Sequence, residues 1–66
     1  IQAPHAWVGH TLKQLDIRRK HNVSVILISR KGEDPISPNA DTMINRDDEL
    51  LVLGQREDVD IIEKLA

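Results

Sequence analysis

Apolar residues recur along this chain with two different periods, and the change of period divides the chain into elements. Residues 12–20 repeat apolar side chains at helical spacing, directly after Thr11, whose hydroxyl suits a helix N-cap. The run VSVILIS at 23–29 is short and rich in β-branched residues, which predicts a strand, and its unbroken apolar centre predicts burial on both faces. Asn22 lies between the two and favours the left-handed backbone that ends a helix.

The second half of the chain predicts a hairpin, a strand and a terminal helix. Two prolines confine the extended pieces within residues 35–44 to the edge of a sheet, because proline cannot donate to a strand ladder. The run LLVLG at 50–54 predicts a second apolar strand. Residues 56–66 predict a helix with three core-facing side chains, Val59, Ile62 and Leu65. The predicted fold class is therefore α+β: a small β-sheet with a hairpin and two helices.

The length of the chain, 66 residues, allows one domain, which we take to be residues 1–66. A chain of this size buries only about 60% of its unfolded surface, so its core is marginal. Cysteine is absent, which excludes disulfides and thiolate metal sites. Association with another subunit is the remaining common means of stabilising so small a domain. Because the chain begins with Ile1 rather than Met, we also expect it to be a fragment of a longer protein.

Charge and hydropathy exclude two classes of partner. The formal net charge is −2, which gives no basic face for a nucleic-acid polymer, and Trp7 is the only aromatic residue available for stacking. The longest apolar run, VILI, is far shorter than the roughly 20 residues of a membrane span. We therefore expect neither nucleic-acid binding nor direct membrane insertion.

The sequence contains no set of residues typical of an enzyme. His5 and His10 are five residues apart and do not share a helical face, and no metal-binding spacing or nucleophile motif occurs. No catalytic residue, metal ligand or cofactor is predicted. Four acidic residues in the middle of the chain leave open a divalent-cation sensor: Asp41, Asp47, Asp48 and Glu49.

The basic cluster RRKH at 18–21 has two interpretations. A charge run at this place is ordinarily the exposed last turn of a helix, where it complements the helix dipole. Alternatively, a sharp bend at Asn22 brings Arg18 near Val23 and Ser24, where its guanidinium fork would suit a phosphate group. An apolar patch beside an arginine would then form a nucleotide pocket.

Two long segments of the chain resemble a known family. VGHTLKQLDIRRKHNVSVILISRKG and ISPNADTMINRDDELLVLGQREDV are similar to the C-terminal domain of regulator-of-potassium-conductance proteins, the RCK C-terminal or TrkA-C domain. The matching features are the G-x-T-L start, the basic helix end, the V-x-V-I-x-I strand, the S-P pair and the D-x-L-L-V-x-G strand. Gln14 replaces the acidic residue usual in the start motif, and the family's first strand is represented only by its end, Ile1.

The resemblance implies a cytoplasmic regulatory domain that forms a homodimer and controls potassium or other cation transport. Its expected partner is a membrane potassium channel or transporter subunit. In the branch that resembles Ktr-type gating subunits, such a domain binds cyclic di-AMP across the two-fold axis, so this nucleotide is the expected regulatory ligand. A homodimer suits a two-fold-symmetric ligand because each protomer offers the same half-site. The alternatives are a ligand-free dimerisation or scaffold domain and the divalent-cation sensor.

The resemblance also implies which residues hold the ligand. Arg18 matches the family's phosphate-binding arginine, and Pro38 matches the proline beside the purine. Ser24 stands where the nucleotide-binding branch often has asparagine. The complete expected set is Ile17, Arg18, His21, Asn22, Val23, Ser24, Val25 and Pro38.

Overall fold

The computed structural model describes residues 1–65, which form a two-stranded sheet, three α-helices and one 3-10 helix. In chain order these are the 3-10 helix His5–Trp7, α1 Leu12–Leu15, α2 Ile17–His21, β1 Val23–Ser29, β2 Glu49–Gly54 and α3 Arg56–Glu63. The predicted α+β class is confirmed, and both predicted strands form.

The two strands pair antiparallel, and their register divides the sheet into two faces. Pairs on one face are Val23 with Gly54, Val25 with Val52 and Ile28 with Leu50. The valine, isoleucine and leucine side chains of these pairs pack in or against the core. Pairs on the other face are Ser24 with Leu53, Leu27 with Leu51 and Ser29 with Glu49. A β-bulge at Ile26 adds one residue to β1 between the two halves of this register.

The core lies between the first of these faces and the helices. It consists of eight buried apolar residues: Ala3, Trp7, Ile17, Val23, Ile28, Ile44, Leu50 and Ile62. These residues come from the N-terminal segment, from α2 and α3, from both strands and from the loop before β2, whereas α1 contributes no fully buried residue. Few apolar side chains are thus fully buried, as expected for so short a chain.

The helix predicted over residues 12–20 is broken at Asp16, so the prediction of one continuous helix was wrong. Asp16 adopts left-handed backbone angles (φ 49°, ψ 47°) and ends α1 before α2 begins. Aspartate tolerates this conformation better than most residues. The predicted caps are present: Thr11 forms a capping box with Gln14, and Asn22 ends α2 in the left-handed region (φ 57°).

The hairpin predicted within residues 35–44 was also wrong. This segment forms two isolated bridges instead: Ile36 pairs with Ile28 at the free edge of β1, and Met43 pairs with Thr11. The predicted position at the edge of the sheet is therefore confirmed for Ile36, which pairs with a strand, and not for Met43, whose partner Thr11 lies outside the sheet. At the opposite edge of the sheet, Ile1 lies beside β2, where its backbone atoms bond to those of Leu50 at 2.6 and 2.7 Å.

Two burial predictions for the apolar segments also fail. β1 is not buried on both faces, because Ile26 is exposed, and the apolar outer positions of β2 are exposed as well. On α3, Ile62 is buried and Val59 half-buried as predicted, whereas Leu65 lies beyond the end of the helix and is exposed. The predicted helix extended to Ala66, which lies outside the described residues.

A largely buried ion pair fixes the loop that precedes β2. The Asp48 carboxylate, 1% exposed, accepts hydrogen bonds from Arg30 Nε at 3.0 Å and from the Asn45 backbone N–H at 2.8 Å. The second arm of Arg30 donates to the Met43 carbonyl at 2.6 Å. The pair therefore ties the end of β1 to both sides of buried Ile44.

Gly54, at the end of β2, leaves no space for a side chain. A Cβ atom built there would lie 2.5 Å from Val23 Cγ1 and 3.3 Å from the Asn22 carbonyl oxygen. We expect Gly54→Ala to lower the free energy of unfolding by about 2 kcal/mol, as over-packing does in other cores. Urea denaturation measures this change, with Gln55→Ala as the neighbouring control. Equal stability of the two variants would contradict the predicted clash.

Candidate ligand-binding site

A pocket of about 400 Å³ lies along the edge of β1 that faces away from β2. We call it the strand-edge pocket. Its walls come from the helices, from the start of β1 and from the loop after Ile36, and its lining residues are Leu12, Ile17, Arg18, Val23, Ser24, Val25, Pro38, Asn39 and Ala40. The volume falls within the range of small-molecule sites.

The broken helix sets the position of the arginine in this pocket. Because Asp16 ends α1, α2 begins in a new direction and buries Ile17 in the core. The next residue, Arg18, is exposed and lines the pocket. Asn22 then turns the chain into β1, which places Val23 and Ser24 beside Arg18, as the sequence predicted.

The opposite wall of the pocket is a loop held against the start of α1. The backbone N–H groups of Leu12 and Lys13 donate to the carbonyls of Thr42 and Ala40 at 3.1 and 2.9 Å. These donors belong to the first turn of a helix and have no partner within it. Within the loop, Asn39 Oδ1 accepts from the Asp41 N–H at 2.8 Å. These hydrogen bonds hold the loop against the start of α1.

Two neighbouring arginines of α2 differ in their surroundings. Arg19 Nε donates to Asp16 Oδ2 at 2.6 Å, so its charge has a partner. Within residues 1–65, the Arg18 side chain forms neither an ion pair nor a hydrogen bond. Arg18 therefore presents an uncompensated positive charge and all five N–H donors at the pocket, beside the apolar side chains of Ile17 and Val25.

Six of the eight residues predicted for the ligand site line the pocket together: Ile17, Arg18, Val23, Ser24, Val25 and Pro38. The other two lie outside the lining. His21 packs against Trp7, with 5.4 Å between ring centroids, and Asn22 Nδ2 donates to Asp58 Oδ2 at 3.1 Å on α3.

Three lining residues were absent from the predicted set: Leu12, Asn39 and Ala40. Asn39 and Ala40 directly follow Pro38, so their nearness in sequence was an available signal. Leu12 had been assigned only to the helix pattern. Its contribution depends on where the loop docks on α1, which the sequence pattern does not reveal.

The acidic residues considered for a cation sensor do not form a site. Asp48 is buried against Arg30, which neutralises it. Across the described residues, no group of three or more acidic or histidine side chains is placed to hold a metal ion. None of the helices formed by residues 1–65 has the length and apolar character needed to span a membrane.

The strand-edge pocket combines an unpaired guanidinium with apolar walls and the uncovered edge of a strand. Guanidinium groups bind phosphate through paired hydrogen bonds, and apolar walls contact the faces of rings. Fold and pocket together define a small α+β domain with a candidate site for an anionic ligand that also carries apolar or ring surface.

Comparison with known proteins gives the family. The model of the TrkA-C domain matches residues 1–66, and the chain belongs to the TrkA-C domain family. This family comprises regulatory domains of potassium-transport proteins and is not a family of enzymes.

Three relatives are similar to this chain. Ktr system potassium uptake protein C of Bacillus subtilis (strain 168) is 39% identical over 64 residues, which are 97% of this chain and 29% of the relative. The K(+)/H(+) antiporter subunit KhtT of the same organism is 36% identical over 50 residues, 74% of this chain and 30% of the subunit. The chain thus spans less than a third of either relative. A third similar protein is the potassium transport protein KtrA, whose RCK C domain has been solved in complex with cyclic diadenosine monophosphate (c-di-AMP). The two structures superpose with a TM-score of 0.85 and are 31% identical in sequence. The match covers 97% of this chain and 75% of the KtrA chain.

Proposed function

We propose that this domain is a regulatory module of a potassium or other cation transport system and that it binds cyclic di-AMP in the strand-edge pocket, at the interface of a homodimer. The observation that carries the proposal is the placement of unpaired Arg18 beside apolar Ile17 and Pro38 in one pocket. It is supported by the similar KtrA domain, whose structure contains this nucleotide.

Charge explains why a dimeric site would respond to the ligand. Two copies of Arg18 near a two-fold axis repel each other, because like charges at short range raise the free energy of the dimer. A ligand with two phosphate groups, one for each protomer, neutralises both arginines. Ligand binding would then stabilise one arrangement of the two protomers, and that arrangement is the signal passed to the transporter.

The proposal also concerns the location of the domain in the cell and its protein partner. Both curated relatives are named as parts of potassium uptake or potassium–proton exchange systems. We propose that the domain lies in the cytoplasm and acts on a membrane channel or transporter subunit. Ile17, Arg18, Val23, Ser24, Val25 and Pro38 would contact the ligand, whereas His21 and Asn22 would support the helix end behind it.

Thermal unfolding of the domain with and without cyclic di-AMP tests this proposal. A ligand that binds only the folded state adds about 2.7 kcal/mol to the free energy of unfolding at a hundredfold excess over its dissociation constant. For a domain of this size, that corresponds to a rise in Tm of roughly 10–20 °C. ATP and calcium serve as controls, and neither is expected to raise Tm.

Three other results of this unfolding experiment would contradict the proposal. An unchanged Tm in a sample shown to be dimeric would overturn the ligand proposal and favour a ligand-free dimerisation or scaffold domain. A rise in Tm with calcium alone would favour a cation sensor. An equal rise with ATP and cyclic di-AMP would contradict selectivity for the dinucleotide.

A further inference from the structure

One polar side chain of the strand-edge pocket has no role in the proposed function. Three of the lining residues carry polar side chains: Arg18, Ser24 and Asn39. Arg18 and Ser24 belong to the wall formed by α2 and β1, whereas Asn39 belongs to the loop that forms the opposite wall. Its neighbours there, Pro38 and Ala40, are apolar. Asn39 is therefore the residue through which the loop wall can form a side-chain hydrogen bond with a ligand.

Hydrogen bonds within the loop determine which atom of the Asn39 amide is available. Oδ1 accepts from the Asp41 backbone N–H at 2.8 Å and from the Thr42 hydroxyl at 3.4 Å. A backbone N–H can only donate, so the amide atom that faces it must be the oxygen. Within residues 1–65, Nδ2 of Asn39 has no hydrogen-bond partner. The amide therefore offers two free N–H donors, whereas its acceptor is already engaged.

The backbone of Asn39 is held by the same turn. Its N–H donates to Thr42 Oγ1 at 3.0 Å, and its carbonyl accepts from the Thr42 N–H at 3.1 Å. The turn is bonded to α1, where the Lys13 N–H donates to the Ala40 carbonyl at 2.9 Å. A group that is already held in place loses less conformational entropy when a ligand binds, so more of its hydrogen-bond energy contributes to affinity. Asn39 is therefore a positioned donor, held at both its backbone and its side chain.

We propose that Nδ2 of Asn39 donates a hydrogen bond to a ring nitrogen of the ligand's purine base, while Arg18 on the opposite wall binds the phosphate. Asparagine ordinarily binds adenine with both amide atoms: its oxygen accepts from the exocyclic amino group, and its nitrogen donates to a ring nitrogen. Here only the donor remains, so Asn39 recognises an unprotonated ring nitrogen and does not require the amino group. The inference rests on the proposed function and deepens it, because it names a residue that recognises the base.

Isothermal titration calorimetry with Asn39→Asp tests the donor. Aspartate keeps an oxygen for the Asp41 N–H but replaces the NH₂ group with a second oxygen, which would face the ring nitrogen. We expect the affinity for cyclic di-AMP to fall about 100-fold, because two acceptors then oppose each other in both protomers. The unfolding temperature without ligand is expected to stay near the wild-type value, since Asn39 is exposed and its Oδ1 bond is kept.

Ser37→Asp is the matched control for the added negative charge. Ser37 is exposed, lies two residues from Asn39 in the same loop and is outside the pocket lining. Its substitution is expected to change the affinity for cyclic di-AMP only slightly, and added salt should screen that effect.

A second titration locates the acceptor on the ligand. Deaza analogues of cyclic di-AMP, in which a C–H group replaces one ring nitrogen of each adenine, are titrated against the wild type and Asn39→Ala. The alanine variant is expected to bind cyclic di-AMP about 10-fold more weakly than the wild type does, through the loss of a neutral hydrogen bond. One deaza analogue is expected to bind both proteins equally, because the nitrogen and the amide are two ends of the same bond. An analogue that lacks only the amino groups is expected to keep the full difference between the two proteins.

The outcomes separate a failure of this inference from a failure of the proposed function. Equal affinities of the wild type, Asn39→Asp and Ser37→Asp would overturn the role of Asn39 and keep cyclic di-AMP as the ligand. Equal losses in the two aspartate variants would show that the added charge is the cause, which would also overturn that role. If every deaza analogue kept the difference between the wild type and Asn39→Ala, the contact with the base would be refuted. A wild-type domain without affinity for cyclic di-AMP would overturn the proposed function and this inference together.

Discussion

Asp48→Asn is expected to lower the free energy of unfolding by about 3 kcal/mol, the lower end of the cost of removing one partner from a buried ion pair. For a domain of this size, the change corresponds to a fall in Tm of roughly 12–24 °C. Thermal and urea unfolding measure it directly. The loss would be large compared with the whole stability of a small domain, which is about 0.05–0.15 kcal/mol per residue.

The expected loss follows from the hydrogen bonds around the carboxylate. Both oxygens of Asp48 accept: Oδ1 from Arg30 Nε at 3.0 Å, and Oδ2 from the Asn45 N–H at 2.8 Å and from Arg30 Nη2 at 3.3 Å. An asparagine has one oxygen and one NH₂ group. In either orientation, the NH₂ group would face a donor of Arg30 or of Asn45. At least one hydrogen bond is lost in a buried place, together with the charge that compensates Arg30.

Asp47→Asn is the matched control, because it also removes one negative charge. Asp47 is exposed and adopts a left-handed backbone conformation (φ 65°) that asparagine tolerates equally well. We expect its stability to lie within about 0.5 kcal/mol of the wild-type value. If Asp48→Asn and Asp47→Asn lowered stability equally, the effect would come from net charge and the ion pair would have no special role.

The strands and the helix caps were predictable from the sequence because their signals are local. Residues 23–29 and 50–54 have β-branched or leucine-rich apolar runs bounded by polar turns, and both form strands. Thr11 precedes a helix as its cap, and Asn22 ends one in the left-handed region. In each case the residue's own side chain or backbone preference determines the local structure.

The break at Asp16 and the fate of residues 35–44 were not predictable in this way. Aspartate is acceptable inside a helix, so its presence gave no signal for the left-handed turn, after which Ile17 packs into the core. Residues 36 and 43 pair with different parts of the fold, Ile28 and Thr11, rather than with each other. Such pairing is set by tertiary contacts, for which periodicity carries no signal.

The candidate site was predictable to the extent that it follows the chain. Ile17, Arg18 and Val23 to Val25 are near neighbours in sequence, and the bend at Asn22 places them together. His21 and Asn22 lie within the same segment but turn towards Trp7 and Asp58. The direction of a side chain at a helix end depends on what packs beside it. Proximity in sequence therefore predicted which segment forms the pocket, but not which side chains of that segment line it.

Arg18→Ala is expected to reduce the affinity for cyclic di-AMP at least about 100-fold and to leave the domain folded. One charge-assisted hydrogen bond contributes about 1.5–3 kcal/mol, and the substitution removes the guanidinium from both protomers of the dimer. Isothermal titration calorimetry measures the loss. Because Arg18 is exposed and unpaired within the described chain, the unfolding temperature without ligand is expected to stay near the wild-type value.

Lys20→Ala is the matched control for general attraction between the basic cluster and the nucleotide. Lys20 is an exposed cation of the same helix, two residues from Arg18, and it lies outside the pocket lining. Its loss is expected to change affinity only slightly, and added salt should screen that effect further. Equal losses in the two alanine variants would show that the cluster acts through its total charge, and unchanged affinity in Arg18→Ala would refute the role of this residue.

Arg18→Lys separates the positive charge from the shape of the group that carries it. Lysine keeps the charge but has no planar fork for paired hydrogen bonds to a phosphate. If the guanidinium binds the phosphate through both arms, the lysine variant will show an affinity between those of the wild type and Arg18→Ala. If charge neutralisation between the protomers is the whole contribution, Arg18→Lys will bind as tightly as the wild type, because two lysines near the axis repel each other as two arginines do.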